Sequence, residues 1–362
     1  MDDGLKQSHV AGGQTVIDSV KEYYGKVLQS TESLKTSACT TCCAGSKKGR
    51  LFRDIPDEII SKYYGCGSPF PEQLQGLKVV DLGSGSGRDC YALAKLVGKD
   101  GFVTGVDMTE EQLDVARRHV DAFTRDVLKL DAPNMKFVKG YIEDLVGAGI
   151  EPESQDLIVS NCVVNLSPDK PAVLKGVYDI LKEGGELFFS DVYADRRLSD
   201  AARKDPVLFG ECIGGALYER DFIHLAKSVG FADPREVSRN VITVNDPEIR
   251  KLVGNATFYS ITYRLFKLKD LEPNCEDYGQ VAVYKGTIPD KELAFNLDKD
   301  HTFEAHRPVL VCGNTASMLT DTRYAPHFTV TGNREKHFGA FPCGGSSVKT
   351  GIAATSKSGG CC

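Results

Sequence analysis

The sequence predicts an α/β protein, a parallel sheet with helices on both faces, followed by a small C-terminal β-rich domain. Three observations carry that prediction. Five apolar runs between residues 77 and 193 alternate with segments whose apolar residues recur at helical spacing. A glycine-rich turn follows the first of these runs, and beyond about residue 270 the chain changes to short β-like segments. Strands that alternate with helices imply a parallel sheet covered on both sides.

Taken in order, residues 15–38 carry Val16, Val20, Tyr23, Tyr24 and Val27 at helical spacing. The polar loop "CTTCCAGSKKGR" then holds Cys39, Cys42 and Cys43, and "PDEIISKYYGCGSPFP" reads as a short helix ended by Gly65, with Cys66 in its exit turn. "LKVVDLG" is the first buried strand, and the helical "RDCYALAKLVG" follows its Gly-rich turn. "GFVTGVDM" is the second strand, after which Thr109 and Gln112 form a candidate capping box for "TEEQLDVARRHVDAF". "MKFVKGYI" and "DLIVSNCV" are the third and fourth strands. "SPDKPAVLKGVYDILKEGG" is a helix with Ser167 as its candidate cap, and "GELFFSDVY" is the fifth strand. Residues 196–220 break this rhythm as an insertion carrying Cys212; "DFIHLAKSVGF" resumes as helix, and "VITV" and "ATFYSITYRLFKL" read as strands. The expected organisation is an N-terminal helical segment and Cys-containing loop over 1–70, a main domain over 71–270 with an insertion around 194–220, a small domain over 271–344, and a disordered Gly/Ser/Lys-rich tail over 345–362.

Composition narrows the function. The 362 residues are 41% apolar and 26% charged, ordinary for a soluble globular chain. No apolar run approaches the roughly 18 to 20 residues of a membrane helix, and "MDDGLKQSHVAGGQ" lacks the basic start and apolar core of a secretion signal, so a cytoplasmic protein without membrane partners is expected. A net charge of −6, with both signs interspersed, argues against a nucleic-acid partner and leaves a small molecule as substrate. Twelve cysteines in a large, non-secreted chain point to metal binding, redox chemistry or burial rather than to disulfide staples.

The turn in "VVDLGSGSGRD" carries the cofactor signal. Gly83, Gly85 and Gly87 let the backbone approach a ligand, but the last position of a dinucleotide fingerprint is Arg88 instead of Gly. Asp81, just before the glycines, suits a cationic sulfonium or amino group and would repel a pyrophosphate. Asp107 at the end of the second strand suits two ribose hydroxyls, while Ile142 and Glu143 after the third suit an adenine ring and its amino group. Each acid alone reads as a solvated loop carboxylate; their order on successive strands argues for S-adenosylmethionine.

On these residues the chain resembles a Rossmann-like class I S-adenosylmethionine methyltransferase. More narrowly, "YYGCG", "DLGSGSGRDCY", "GVDMT", "GYIEDL", "SNCVVNLSPDK", "LKEGGELFFSDVY" and "GECIGGALY" resemble the arsenite methyltransferase family from about Cys39 to Leu268. The resemblance adds Tyr64, Met108 and Asn161 to the cofactor-binding set. It implies arsenite and then methylarsenite as substrates, held by Cys162 and Cys212 with Cys66 or Cys39 as third thiolate. Soft trivalent arsenic matches thiolate sulfur, and its lone pair carries no proton, so no catalytic base is required. The resemblance also nominates Cys39 and Cys66 as a thiol pair that supplies two electrons by forming a disulfide, which glutathione or thioredoxin then reduces. Cys90, Cys275, Cys312 and Cys343 read as inert thiols, and Cys42, Cys43, Cys361 and Cys362 as extras outside the family pattern. Two competing readings are another small-molecule or sterol-type methyltransferase with incidental thiols, and a non-catalytic thiol store for metalloid.

Overall fold

The structure, a computed structural model, describes residues 51–62, 70–210 and 212–342. The helix expected over 15–38, Cys39, Cys42, Cys43, Tyr64, Cys66, Cys343 and the tail with Cys361 and Cys362 lie outside the described residues.

After a short helix α1 (Asp57–Ser61), the chain alternates β1 (Lys78–Leu82), α2 (Arg88–Val97), β2 (Phe102–Asp107), α3 (Glu110–Arg118), β3 (Met135–Lys139), β4 (Gln155–Asn161), α4 (Lys170–Ile180) and β5 (Leu181–Ala194). The insertion contributes α5 (Asp200–Lys204) and β6 (Leu217–Tyr218), which pairs with the end of β5. Then come α6 (Glu219–Val229), β7 (Arg235–Ile242), α7 (Pro247–Val253) and β8 (Phe258–Phe266). The main sheet runs β3-β2-β1-β4-β5-β8-β7. Only β8 opposes the common direction, pairing antiparallel with both β5 and β7. Strand order reverses between β1 and β4, so a crevice opens beyond their carboxyl ends, where ligands of such sheets bind.

Alternate residues of the central strands feed two cores. Val80, Leu82, Ile158 and Phe189 pack against α4 and α6 through Val173, Val177 and Phe222. Val79, Leu157, Val159 and Phe188 face α2 and α3 through Tyr91, Leu93 and Leu113. Burial on both faces is why these strands read as continuous apolar runs.

Four local expectations give way to other solutions. Thr109 occupies the N-cap of α3 without a side-chain cap bond; its hydroxyl is engaged by Asp107 instead. Ser167 does not cap α4, whose N-cap is Asp169, accepting from the Ala172 N–H at 3.0 Å. The strand expected at "VITV" is β7, which begins at Arg235. It is a polar edge strand, so it shows no buried run. Finally, a helix α8 (Gly313–Thr320) stands where only β-like segments are expected. Its residues Gly313 to Leu319 are all buried, so it has no polar face to create a helical period.

The β-rich C-terminal part comprises β9 (Glu276–Asp277), β10 (Gln280–Tyr284), β11 (Ala294–Asn296), β12 (Thr302–Glu304), β13 (Pro308–Val311), β14 (Phe328–Thr331) and β15 (Gly339–Ala340). β10 lies between β13 and β14 in an antiparallel sheet. Its core continues from β8: Phe266 and Leu268 pack with Tyr284, Phe295 and Tyr324. Beneath this junction Glu186 of β5 is fully buried and pairs with Arg264 of β8 at 2.7 Å and with Arg323 on its other oxygen. Among the described residues no helix is long and apolar enough to cross a membrane.

Candidate active site

The crevice at the reversal point is a single cleft lined from one end to the other by Asp81, Gly83, Gly85, Asp107, Met108, Ile142, Glu143, Asn161 and Cys162. Gly83 and Gly85 have left-handed φ of 64° and 52°. A Cβ on Gly83 would lie 2.4 Å from Val163, while one on Gly85 would meet nothing within 4 Å. The first glycine is therefore required by packing, and the second leaves the cleft floor open to a ligand. Gly87, at φ 93°, does not line the cleft; it opens α2, and a Cβ there would press on Phe137 at 2.7 Å.

Asp107 accepts the Gly85 N–H on one oxygen and the Thr109 N–H on the other, each at 2.8 Å. The Thr109 hydroxyl and the Met108 N–H also donate to it, so the carboxylate is held rigidly at the cleft, where ribose hydroxyls would have to share its oxygens with these donors. Burial nevertheless raises its pKa. Asp81 accepts from the Cys90 thiol at 3.2 Å, and burial followed by the neighbouring Asp89 charge pushes its carboxyl well above the usual range. Asp89 is held by Arg88 at 2.7 Å and accepts from the Asn161 amide at 3.2 Å. Two buried carboxylates beside one guanidinium leave this end of the cleft short of positive charge, and a cationic ligand supplies it. At the other end Glu143 accepts from the Ser167 hydroxyl, with Ile142, Val163 and Leu166 as apolar walls. The residues present thus fit S-adenosylmethionine: cation against Asp81, diol against Asp107, flat ring between apolar side chains.

The thiol end is built differently. Cys162 follows β4 at φ 58° and Cys212 lies in the insertion at φ 62°, both in the left-handed region that disfavours side chains. Such conformations cost about 1–2 kcal/mol each. The Cys162 N–H is tied to the Ser190 carbonyl at 2.8 Å. The Cys212 thiol donates to the Cys162 carbonyl at 3.2 Å. Cys162 is disulfide-bonded, a state the sequence reading assigns only to Cys39 and Cys66; Cys90, Cys212, Cys275 and Cys312 are outside disulfides.

Around these thiols lies a buried polar cluster absent from the sequence reading. Asp191 accepts the Asn165 N–H at 3.0 Å and the Val192 N–H at 2.8 Å. Burial raises its carboxyl to about 7 despite those bonds and the nearby Lys170 charge. Lys170 donates to the carbonyls of Asn165 and Ser167, each at 3.0 Å, and burial lowers its ammonium to about 8. Asp89 and Ser84 also line the cleft, as do Thr109 and Ser167, which the sequence offers only as helix caps. Asp89 had a signal in the sequence, as an acidic residue in the first turn of the helix that follows the Gly-rich loop.

Comparison with known proteins agrees with this geometry. The methyltransferase domain family matches residues 73–230, and the arsenite methyltransferase C-terminal domain family matches residues 278–362. Over 349 residues the chain is 53% identical to the arsenite methyltransferase of Aquipseudomonas alcaligenes, covering 95% of this chain and 99% of that protein. The chain belongs to the arsenite methyltransferase family. The human arsenite methyltransferase is 42% identical over 88% of this chain and 84% of its own length. The crystal structure of CrArsM, an arsenic(III) S-adenosylmethionine methyltransferase from Chlamydomonas reinhardtii, superimposes with a TM-score of 0.79 at 55% identity, covering 81% of this chain and 98% of that one. Membership in this family accords with the Rossmann-like class I methyltransferase sheet and with the β-rich C-terminal addition.

Proposed function

We propose that this chain methylates trivalent arsenic, first as arsenite and then as methylarsenite, with Cys162 and Cys212 as the thiolates that hold the metalloid. The observation that carries this is the meeting of the two cysteine segments at the cofactor cleft, where the Cys212 thiol lies 3.2 Å from the Cys162 carbonyl and Cys162 itself lines the cleft. S-adenosylmethionine supplies an electrophilic methyl on a sulfonium. Asp81, Asp107, Met108, Ile142, Glu143 and Asn161 hold it, and the thiolates aim the arsenic lone pair toward the same space. Positioning of this kind supplies roughly 7 to 11 kcal/mol in favourable cases. Because the nucleophile carries no proton, Asp191 and Lys170 need not act as base or acid.

Methylation raises arsenic to the pentavalent state, and its return requires two electrons from a pair of thiols that become a disulfide. Glutathione or thioredoxin then restores the dithiol, with its own thiols oxidised in turn. Cys66 and Cys39 are proposed to complete the arsenite site: Cys66→Ser and Cys39→Ser should cripple methylation of arsenite, which uses three thiolates, yet spare methylarsenite, which has one position already filled by carbon. Arsenic detoxification is the role this activity serves. The test incubates the purified protein with arsenite, glutathione and methyl-labelled cofactor and separates the arsenic species. Label in methylated arsenic supports the proposal; label confined to the cofactor overturns it.

A further inference from the structure

Two segments carry the thiols, and they touch at a second place besides the Cys212–Cys162 bond. Gly215, three residues beyond Cys212, packs so closely on Asn165 that a Cβ on Gly215 would lie 2.1 Å from the Asn165 carbonyl oxygen and 2.9 Å from its carbonyl carbon. Both neighbours are backbone atoms, which cannot swing aside as a flexible side chain can.

Asn165 is itself fastened at three polar groups. Its N–H is held by Asp191, its side-chain amide donates to the Val192 carbonyl, and its own carbonyl accepts from Lys170. Asp191 and Val192 belong to β5, so the residue is anchored to the rigid sheet rather than to the loop alone. Lys170 also holds the Ser167 carbonyl, which fixes the far end of the same loop. Val164 and Asn165 are buried, and the cleft lies on the other side of Val163 and Leu166. The cluster reaches the cofactor cleft only through Ser167, whose hydroxyl donates to Glu143.

We infer that Asn165 and Gly215 are positioning residues that set the distance between the two arsenic-binding thiols, with Asp191 and Lys170 holding Asn165 against the sheet. The inference rests on Cys162 and Cys212 being the arsenic-binding pair. The logic is that of a spacer: the Cys162 loop is pinned to β5, the insertion is free to approach only until Gly215 meets Asn165, and a glycine is needed there because any side chain would wedge the segments apart. A trivalent arsenical bound by two sulfurs tolerates little error in their separation. Most of the cofactor's contacts, Asp81, Asp107 and Ile142 among them, instead come from β1, β2 and the loop after β3, and only Asn161, Val163, Leu166 and Ser167 belong to the strand and loop that carry Cys162.

The test uses the full chain, reduced and freed of reductant. Its probe is phenylarsine oxide, which offers two exchangeable positions and so reports a thiol pair; every protein compared also carries Cys42→Ser, Cys43→Ser, Cys361→Ser and Cys362→Ser, so that adjacent thiols outside the site do not capture it. Affinities for the probe and for S-adenosylmethionine are measured for wild type, Gly215→Ala, Asn165→Ala and Cys162→Ser. Gly215→Ala should lose at least tenfold in probe affinity and change cofactor affinity by less than twofold. Gly215→Ala that binds the probe like wild type overturns the spacer, as does a folded variant that loses both ligands together. Should Gly215→Ala fail to fold, Asn165→Ala decides by the same criterion. Cys162→Ser separates the two levels: if it retains the probe, the arsenic site itself is misassigned; if it loses the probe while Gly215→Ala keeps it, only the spacer falls.

Discussion

The two ends of the cleft solve the same backbone problem in opposite ways. At the cofactor end the left-handed positions are Gly83, Gly85 and Gly87, where the main chain itself must come close to a neighbour or a ligand. At the thiol end the left-handed positions are Cys162 and Cys212, which accept strain that glycine would avoid. On the proposed assignment of the two ends, the difference follows from what each ligand demands. A nucleoside with ribose hydroxyls and a cation is recognised by N–H groups and carboxylates, which turns can present. A soft metalloid is recognised only by sulfur, so the side chain cannot be given up even where the backbone would prefer none.

The largest effect should come from removing that sulfur. Cys162→Ser and Cys212→Ser keep size and backbone while replacing a soft donor with a hard hydroxyl, and each should abolish methylation of arsenite and of methylarsenite alike, with cofactor affinity retained. Chromatographic assay on both substrates checks this, and a Cys162→Ser enzyme that still turns over either one would break the contrast.

A smaller loss is expected from the cofactor end. Asp107→Ala removes charge-assisted bonds worth roughly 3 kcal/mol together, about a hundredfold in S-adenosylmethionine affinity, with arsenical binding nearly intact. Calorimetry with each ligand reads the two halves separately, and equal losses for both ligands would show that they are not independent. Because burial raises the Asp107 pKa, cofactor affinity in the wild type should fall on acidification at a higher pH than for an exposed aspartate, whose pKa is about 3.9. A binding curve flat down to that value would contradict the burial argument.

The smallest effect concerns the cluster behind the thiols. Burial holds the folded Asp191 carboxyl protonated up to about 7, whereas the unfolded chain releases that proton near pH 3.9. Between those values the folded state binds more protons, so stability declines as pH rises through the window. Asp191→Asn cannot titrate, and its thermal midpoint should lose less than that of the wild type from pH 5 to pH 8. Parallel curves would remove Asp191 from the account. Lys170, the cation facing it, loses the Asp191 charge that raises its pKa, so in Asp191→Asn it gives up its proton at lower pH; a lysine depressed in the folded state gains stability as pH rises, which adds to the difference in the same direction.

The sheet was legible because its central strands are buried on both faces and its first turn is rich in glycine. The cleft residues Asp81, Asp107, Ile142, Glu143 and Asn161 could be placed because topology puts the carboxyl ends of successive strands side by side. The polar cluster was not. Asp191 sits inside an apolar strand and Lys170 in a helix whose polar residues read as solvated, and only folding brings both to Asn165. Likewise Ser167 and Thr109 carry the right residue type for caps, yet the cleft offers them carboxylates that outcompete the helix ends. Local rules yield where a site supplies a stronger partner.

Glu186 has a consequence for anyone who wishes to trim this enzyme to its methyltransferase core. It lies on β5, only a few residues from Ser190 and Asp191, and one of its two cationic partners, Arg323, comes from the C-terminal part. A chain cut after β8 would expose Phe266 and Leu268 and leave one carboxylate oxygen of Glu186 without its countercharge. Glu186 would keep Arg264, but the lost hydrogen bonds on its other oxygen cost roughly 1–3 kcal/mol, to be set against a typical domain's stability of about 5–15 kcal/mol. The C-terminal part is therefore not a detachable appendage. A minimal catalyst would need Glu186 and Arg264 replaced together by apolar residues before the cut was made, so that neither is left as an unpaired buried charge.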